Sequence, residues 1–211
     1  MIRRNIVTIT KEQLAAMPVV TYPGEISIIE TQEQAAAALD EIFKCSVVGF
    51  DTETKPTFRK GHPNNVALMQ VSNGSHCWLF RVNRLGVEGS VKRFLESTQV
   101  KKVGLSLKDD FFVMHRSCEF EPAGFVDLQG FVREYGIADA SLQKIYGILF
   151  GERISKGQRL SNWEAPELTL SQQRYASIDA WACLRIYDYL QSGGFVAEQS
   201  PYYTTIEIEE Q

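Results

Sequence analysis

The sequence predicts an α/β domain whose sheet contains at least one antiparallel hairpin. Three observations predict it. Apolar runs of strand length dominate the first half of the chain, and helix-length segments the second. Two such runs, 66–71 and 76–82, are joined by Ser72-Asn73-Gly74-Ser75, and Asn-Gly is a strong hairpin signal. The 211 residues are 44% hydrophobic and 11% aromatic. That suffices for one sizeable core, and no biased tract suggests disorder, collagen or a coiled coil.

The elements follow in order. Residues 1–24 are mixed, with Pro18 and Pro23-Gly24 as breakers. The β-branched run 25–30 reads as a strand. Thr31 caps a helix over 32–43, with Ala36, Leu39 and Phe43 on its apolar stripe. Residues 46–50 are a compact apolar run typical of a buried strand, and 54–64 a polar, basic loop with Lys55, Arg59, Lys60 and His62. After the hairpin come a helix at 91–96, a strand at 102–107, a helix at 111–116 and a short strand at 125–127. Helices are expected at 128–135, 141–150 and 171–191, with a loop over 151–166 and Gly193-Gly194 as the final stop. The tail 195–211 is either an edge strand or frayed.

Composition narrows the function classes. Net charge is −4, from 22 Lys+Arg against 26 Asp+Glu. A protein that holds long duplex by charge alone would be basic, so any nucleic-acid contact must be local. The acidity fits either a solubilising surface or a site whose two divalent cations are not counted. Cys45, Cys77, Cys118 and Cys183 contain no C-x-x-C, and His62, His76 and His115 no H-x-x-x-H. Both facts argue against structural zinc and a disulfide scaffold. Met1-Ile2-Arg3-Arg4 resembles the start of a secretion signal, but Lys11-Glu12 interrupts the apolar stretch such a signal needs. The longest apolar stretches, 35–39 and 145–150, fall short of the ~20 residues a bilayer needs. Reduced thiols in a cytoplasm, and no membrane, are the expectation.

Three constellations carry chemistry. In Asp51-Thr52-Glu53 the carboxylates are two apart at the end of an apolar run, so a strand puts both on one face. Such anions repel, and the pair is either a solvated strand end or a cation site. Tyr175 and Asp179 are one turn apart on the 171–191 helix, as a boundary pair or a functional one. Lys108-Asp109-Asp110 lies where a strand hands over to a helix. If Asp109 caps that helix, Asp110 is free to turn back toward Asp51 and Glu53.

Taken together as D-x-E, then D, then Y-x-x-x-D, these residues resemble the DEDD superfamily of 3′→5′ exonucleases, in its tyrosine-containing, ribonuclease D-like branch. Val48-Gly49-Phe50-Asp51-Thr52-Glu53 is similar to the first motif, and Val66 to Val71 to the strand after it. Lys101 to Asp110 resembles the second motif, and Ser161-Asn162-Trp163 with Leu170, Tyr175 and Asp179-Ala180 the third. The resemblance covers about residues 41–192 and implies a ribonuclease H-like mixed β-sheet flanked by helices. It implies a domain over 41–192, an N-terminal extension over 1–40 whose strand and helix pack on it, and a tail over 193–211. Asp51, Glu53, Asp110 and Asp179 would be ligands of two divalent cations, Mg²⁺ or Mn²⁺. Asp110 rather than Asp109 keeps the family's spacing. Tyr175 would orient the attacking water. The implied reaction is hydrolysis of the terminal phosphodiester at the 3′ end of single-stranded or frayed DNA or RNA, releasing 5′-mononucleotides.

Loops beside the motifs supply candidate substrate contacts: Thr52, Thr54, Lys156, Arg159, Asn162 and Trp163. Arg159 suits a phosphate, and Trp163 or Phe58 a stacked base. Trp163 reads equally well as a core anchor, and loop 55–62 as a solvated face. Leu68 and Met69 read as core. An inactive binding module of the same fold is the alternative, disfavoured because all four carboxylates and the tyrosine are present. G-x-G-x-x-G and Walker motifs are absent. So is the second glycine of a nucleophile elbow after Ser106.

Overall fold

The computed structural model describes residues 2–57 and 64–208. Its centre is a six-stranded mixed sheet, with strands β2 (Glu25–Ile29), β3 (Val47–Thr54), β4 (Val66–Ser72), β5 (His76–Phe80), β6 (Lys101–Gly104) and β7 (Phe125–Asp127). The order across the sheet is β2-β5-β4-β3-β6-β7. β3, β4 and β5 run antiparallel in sequence, whereas β2 joins β5, β6 joins β3 and β7 joins β6 in parallel. The expected α/β architecture and its Asn73-Gly74 hairpin are both present. β4 is buried along its whole length, as expected of a near-continuous apolar run covered on both faces.

Each face carries its own core. Helices α2 (Gln32–Ile42), α4 (Ser90–Leu95) and α5 (Leu107–Met114) cover one side, packing Leu39, Ile42, Phe94 and Met114 with Phe50 and Val71. On the other, α7 (Leu142–Phe150) and the 22-residue α8 (Leu170–Gln191) pack Tyr146, Ile178 and Ile186 with Leu68 and Leu79. The remaining helices are α1 (Lys11–Ala15), α3 (Val82–Leu85) and α6 (Leu128–Phe131).

Several boundaries differ from those read in the sequence. The stripe of α2 is Ala35, Ala38, Leu39 and Ile42, and Ala36 is exposed. The helix starts one residue after Thr31 as predicted, with Thr31 and Gln34 forming a capping box. β5 stops at Phe80, and Val82 already begins α3. β6 stops at Gly104, and α5 begins at Leu107, inside the expected strand.

The N-terminal region is more ordered than its mixed composition indicates. β1 (Ile2–Val7) pairs antiparallel with β8 (Tyr203–Ile208), so the tail forms a strand in a second, two-stranded sheet. A capping box of Thr10 and Gln13 starts α1, a T-x-x-Q signal present in the sequence. Thr8 Oγ1 and Ile9 N–H both donate to Asp139 Oδ2 at 2.9 Å, tying this region to the segment before α7. β2 is an edge strand of the main sheet, and α2 continues to Ile42.

Candidate active site

β3 carries the first two acids. Gly49, Asp51 and Glu53 alternate onto the face covered by α8. The acids lie within the strand rather than beyond its end. A Cβ at Gly49 would collide with the carbonyl oxygen of Ala180 and lie 3.2 Å from Leu184 Cβ. Only glycine permits α8 to cross β3 so closely. Small side chains on the helix, Ala176, Ala180 and Cys183, are buried against this face. Thr169 and Gln172 form the capping box that starts α8. The close crossing brings Asp179 to the strand. Ligand oxygens of Asp51, Glu53 and Asp179 all lie within 4.8 Å of one another.

Asp110 reaches the site from the other side of β3. Ser106 sits in the left-handed region at φ 63°, where a non-glycine residue is uncommon. The Asp127 carboxylate accepts the N–H of Ser106 at 3.1 Å and of Leu107 at 2.9 Å. Asp127 therefore satisfies the start of α5, and the expected cap at Asp109 is not formed. Both Asp109 and Asp110 lie in the first turn. Asp109 is exposed, while Asp110 is half-buried and accepts a hydrogen bond from the Thr52 hydroxyl. Asp110 lies outside the tight trio, but its charge acts on both Asp51 and Glu53.

The electrostatics follow from crowding anions away from water. Desolvation, then the charges of Asp179, Asp110 and Glu53, push the Asp51 carboxyl well above its usual range. Desolvation, then the charges of Asp179 and Asp110, push Glu53 up to about 9, with Arg159 opposing. Burial takes Asp179 to about 7. Asp110 rises to about 6, desolvation outweighing the Thr52 hydrogen bond that holds it down. None of the four forms an ion pair with lysine or arginine among the described residues. Clustered carboxylate oxygens without a protein counter-ion are the donor set of a hard divalent cation. The residues present fit such a group.

Tyr175 and Asp179 lie one turn apart on α8, Tyr175 half-buried and Asp179 9% exposed. Burial, then Asp179, Glu53 and Asp51, raise the Tyr175 phenol, so it is protonated at neutral pH. Both residues line a cleft of about 390 Å³ together with Asp51, Lys156 and Arg159. Lys156 and Arg159 are exposed at this opening. Asn162 is exposed nearby in sequence, but its Oδ1 accepts the Glu164 N–H at 3.2 Å. Thr54 is half-buried beside a register shift at the end of β3. The Thr52 hydroxyl is committed to Asp110.

Trp163 needs a correction as a base-stacking residue. It is fully buried, and its ring stacks on Tyr175 with centroids 6.0 Å apart and planes at 30°. A ring with no exposed face cannot receive a base, and Trp163 instead supports Tyr175 from the core. Gln172 Nε2 donates to the Asn162 carbonyl at 3.2 Å and ties the Trp163 loop to the start of α8. Lys55 Nζ pairs with Glu164 Oε2 at 3.0 Å. The expected contacts at Phe58, Arg59, Lys60 and His62 lie outside the described residues.

Two residues around the acids were not singled out in the sequence. Asp127, the cap of α5, carries no local signal because it is 20 residues from the N–H it accepts from Leu107. Gln70 stands opposite Asp51 across the β3–β4 pair and is fully buried. A lone amide within the apolar run Val66–Val71 is the signal that could have found it. No helix among the described residues is long and apolar enough to cross a membrane.

Comparisons with known proteins agree with this geometry. A family model described as 3′–5′ exonuclease matches residues 26–193. The mouse (Mus musculus) bifunctional 3′–5′ exonuclease/ATP-dependent helicase WRN is 30% identical over 192 residues, covering 86% of this chain and 14% of that protein. The Aedes aegypti Nibbler EXO domain superposes with a TM-score of 0.73 at 21% identity, over 82% of this chain and 92% of that one. Trypanosoma brucei RNase D in complex with RNA superposes with a TM-score of 0.69 at 18% identity, over 80% of this chain and 63% of that one. The chain thus spans a small part of its curated mouse relative, and the structural neighbours share its ribonuclease H-like fold. By its matched sequence model and its 30% identical relative, the chain belongs to the DEDD 3′–5′ exonuclease family.

Proposed function

We propose that this chain is a metal-dependent 3′–5′ exonuclease that hydrolyses the terminal phosphodiester of single-stranded or frayed nucleic acid and releases 5′-mononucleotides. The observation that carries this reading is the convergence of Asp51, Glu53 and Asp179 within 4.8 Å, with Asp110 adjacent. These four carboxylates would hold two divalent cations, Mg²⁺ or Mn²⁺. When bound, the cations acidify water and stabilise the charge that develops on the leaving oxygen.

The chain's own residues supply position and shape. Tyr175, protonated and leaning on Trp163, donates a hydrogen bond that orients the attacking water. Lys156 and Arg159 at the mouth of the cleft hold phosphate oxygens, Arg159 as a planar fork. The strand is single where it meets the acids, so a paired terminus frays before it is cut. All four cysteines are free thiols, which supports a reducing, cytoplasmic setting.

Digestion of matched DNA and RNA oligonucleotides tests the reading. With Mn²⁺ or Mg²⁺, a single strand ending in a 3′-hydroxyl is shortened to mononucleotides, a 3′-blocked strand survives, and EDTA stops the reaction. Equal loss of both strands removes the directionality, and no loss of either removes the catalytic assignment.

A further inference from the structure

The cleft does not account for the exposed face of α5. Lys108 and Phe112 are four apart on α5 and share a face, and Arg116, in the turn that follows the helix, folds back beside them to complete one stripe. Phe112 is 67% exposed, although phenylalanine is a residue that folding normally buries. The Arg116 guanidinium lies over its ring, 5.0 Å from the centroid. Lys108 and Arg116 are themselves exposed. Next to the stripe a cavity of about 490 Å³ opens between α5 and β7, lined by Leu107, Phe111, Phe112, His115 and Phe125.

The exposed ring and the cations flanking it decide what this face suits. Cations stand one turn before and one turn after the exposed ring, a pattern that fits a polyanion carrying flat apolar groups. Two acids share the neighbourhood. Asp127 accepts the N–H groups of Ser106, Leu107 and Gln129, which hold its carboxylate at the start of α5, and Asp109 is exposed on the first turn. Asp110 is two residues from both Lys108 and Phe112 and faces the other side of the helix. The stripe approaches the cleft at the start of α5, where Ser106 lines the cleft and donates its N–H to Asp127, which lines the α5 cavity. Loosely tracked single strands are held in this way, by aromatic rings under the bases and cations beside the phosphates.

We infer that the α5 stripe is a second nucleic-acid contact, where an unpaired base stacks on Phe112 and Lys108 and Arg116 hold the adjoining phosphates. The inference rests on the nuclease reading above and extends it to nucleotides outside the cleft. It makes the protein discriminate by length: a strand long enough to reach α5 binds more tightly than a dinucleotide that fills only the cleft.

The test measures Phe112→Ala in the full chain with two readouts. The first is the ratio of kcat/KM for a twelve-nucleotide single strand to kcat/KM for a dinucleotide. The second is affinity for the same labelled strand, by fluorescence anisotropy in EDTA, which needs no catalysis. Phe112→Ala is expected to lower the ratio and the affinity by about five- to 150-fold, the range of one stacked base. Phe112→Trp restores both, and Lys108→Ala with Arg116→Ala flattens the salt dependence of binding. An unaltered affinity, or equal losses on strand and dinucleotide, overturns the inference. If the wild type binds the strand but cuts nothing, the nuclease reading fails while the anisotropy still decides the α5 contact. Equal melting temperatures for wild type and Phe112→Ala check that the exposed ring is not holding the fold.

Discussion

Gly49 and Ala180 are in backbone contact: the carbonyl of Ala180 occupies the place a Cβ on Gly49 would need. This contact sets the distance between β3 and α8, and hence between Asp51 and Asp179. Gly49→Ala must push the helix away or twist the strand. Overpacking of this kind costs about 1–3 kcal/mol when side chains give way, and here the obstacle is backbone. A loss near the top of that range in urea denaturation is expected, together with cleavage reduced at least tenfold. Wild-type stability in this variant would show that the close crossing is not a constraint.

Metal-free protein is expected to lose stability as pH rises. Asp110, Asp179 and Glu53 are shifted up to about 6, about 7 and about 9. A carboxyl whose folded pKa exceeds its unfolded one binds more protons when folded, so its charged form opposes folding. The cost is absent near pH 4 and grows as pH passes through these values. Differential scanning fluorimetry in EDTA should therefore show a melting temperature falling from pH 5 to pH 9. Mn²⁺ should raise it, by more at pH 8 than at pH 5.

Asp51→Asn separates stability from function. It removes one titratable acid from the crowded cluster, so the metal-free variant melts at or above the wild-type temperature. Cleavage falls by at least a thousandfold, and the Mn²⁺-induced rise in melting temperature shrinks. A variant that is destabilised in EDTA would contradict the repulsion inferred for the site.

Asp109 and Asp110 are expected to behave differently although they are adjacent. Asp109→Asn alters an exposed side chain and changes cleavage less than twofold, whereas Asp110→Asn removes the group held by Thr52. Thr52→Val deletes the hydrogen bond that restrains the Asp110 carboxyl. The acidic limb of its rate–pH profile then moves to higher pH. Matching profiles for Thr52→Val and wild type would mean that Thr52 does not act through Asp110.

Trp163→Ala opens a cavity under Tyr175. Removing a fully buried tryptophan costs about 3–5 kcal/mol. Trp163→Phe keeps most of the volume and serves as the folded comparison. Its kcat should fall more than its KM changes, because the ring supports Tyr175 and does not touch a base. A rise in KM for single strands with kcat intact would return Trp163 to the substrate surface.

The strand and helix content was legible in the sequence wherever the signal is local. Thr31 and Gln34 cap α2, Asn73-Gly74 turns the hairpin, and Tyr175 and Asp179 share a helical face. The alternation of Asp51 and Glu53 is equally local, since period two in a strand suffices to place both on one side. Only the tertiary structure decided what meets those side chains. Asp127 reaches the start of α5 from 20 residues away, Trp163 turns inward under Tyr175, and β1 finds β8 across the whole chain. Those outcomes depend on which faces are buried against which, and no residue's own neighbours along the chain carry that information.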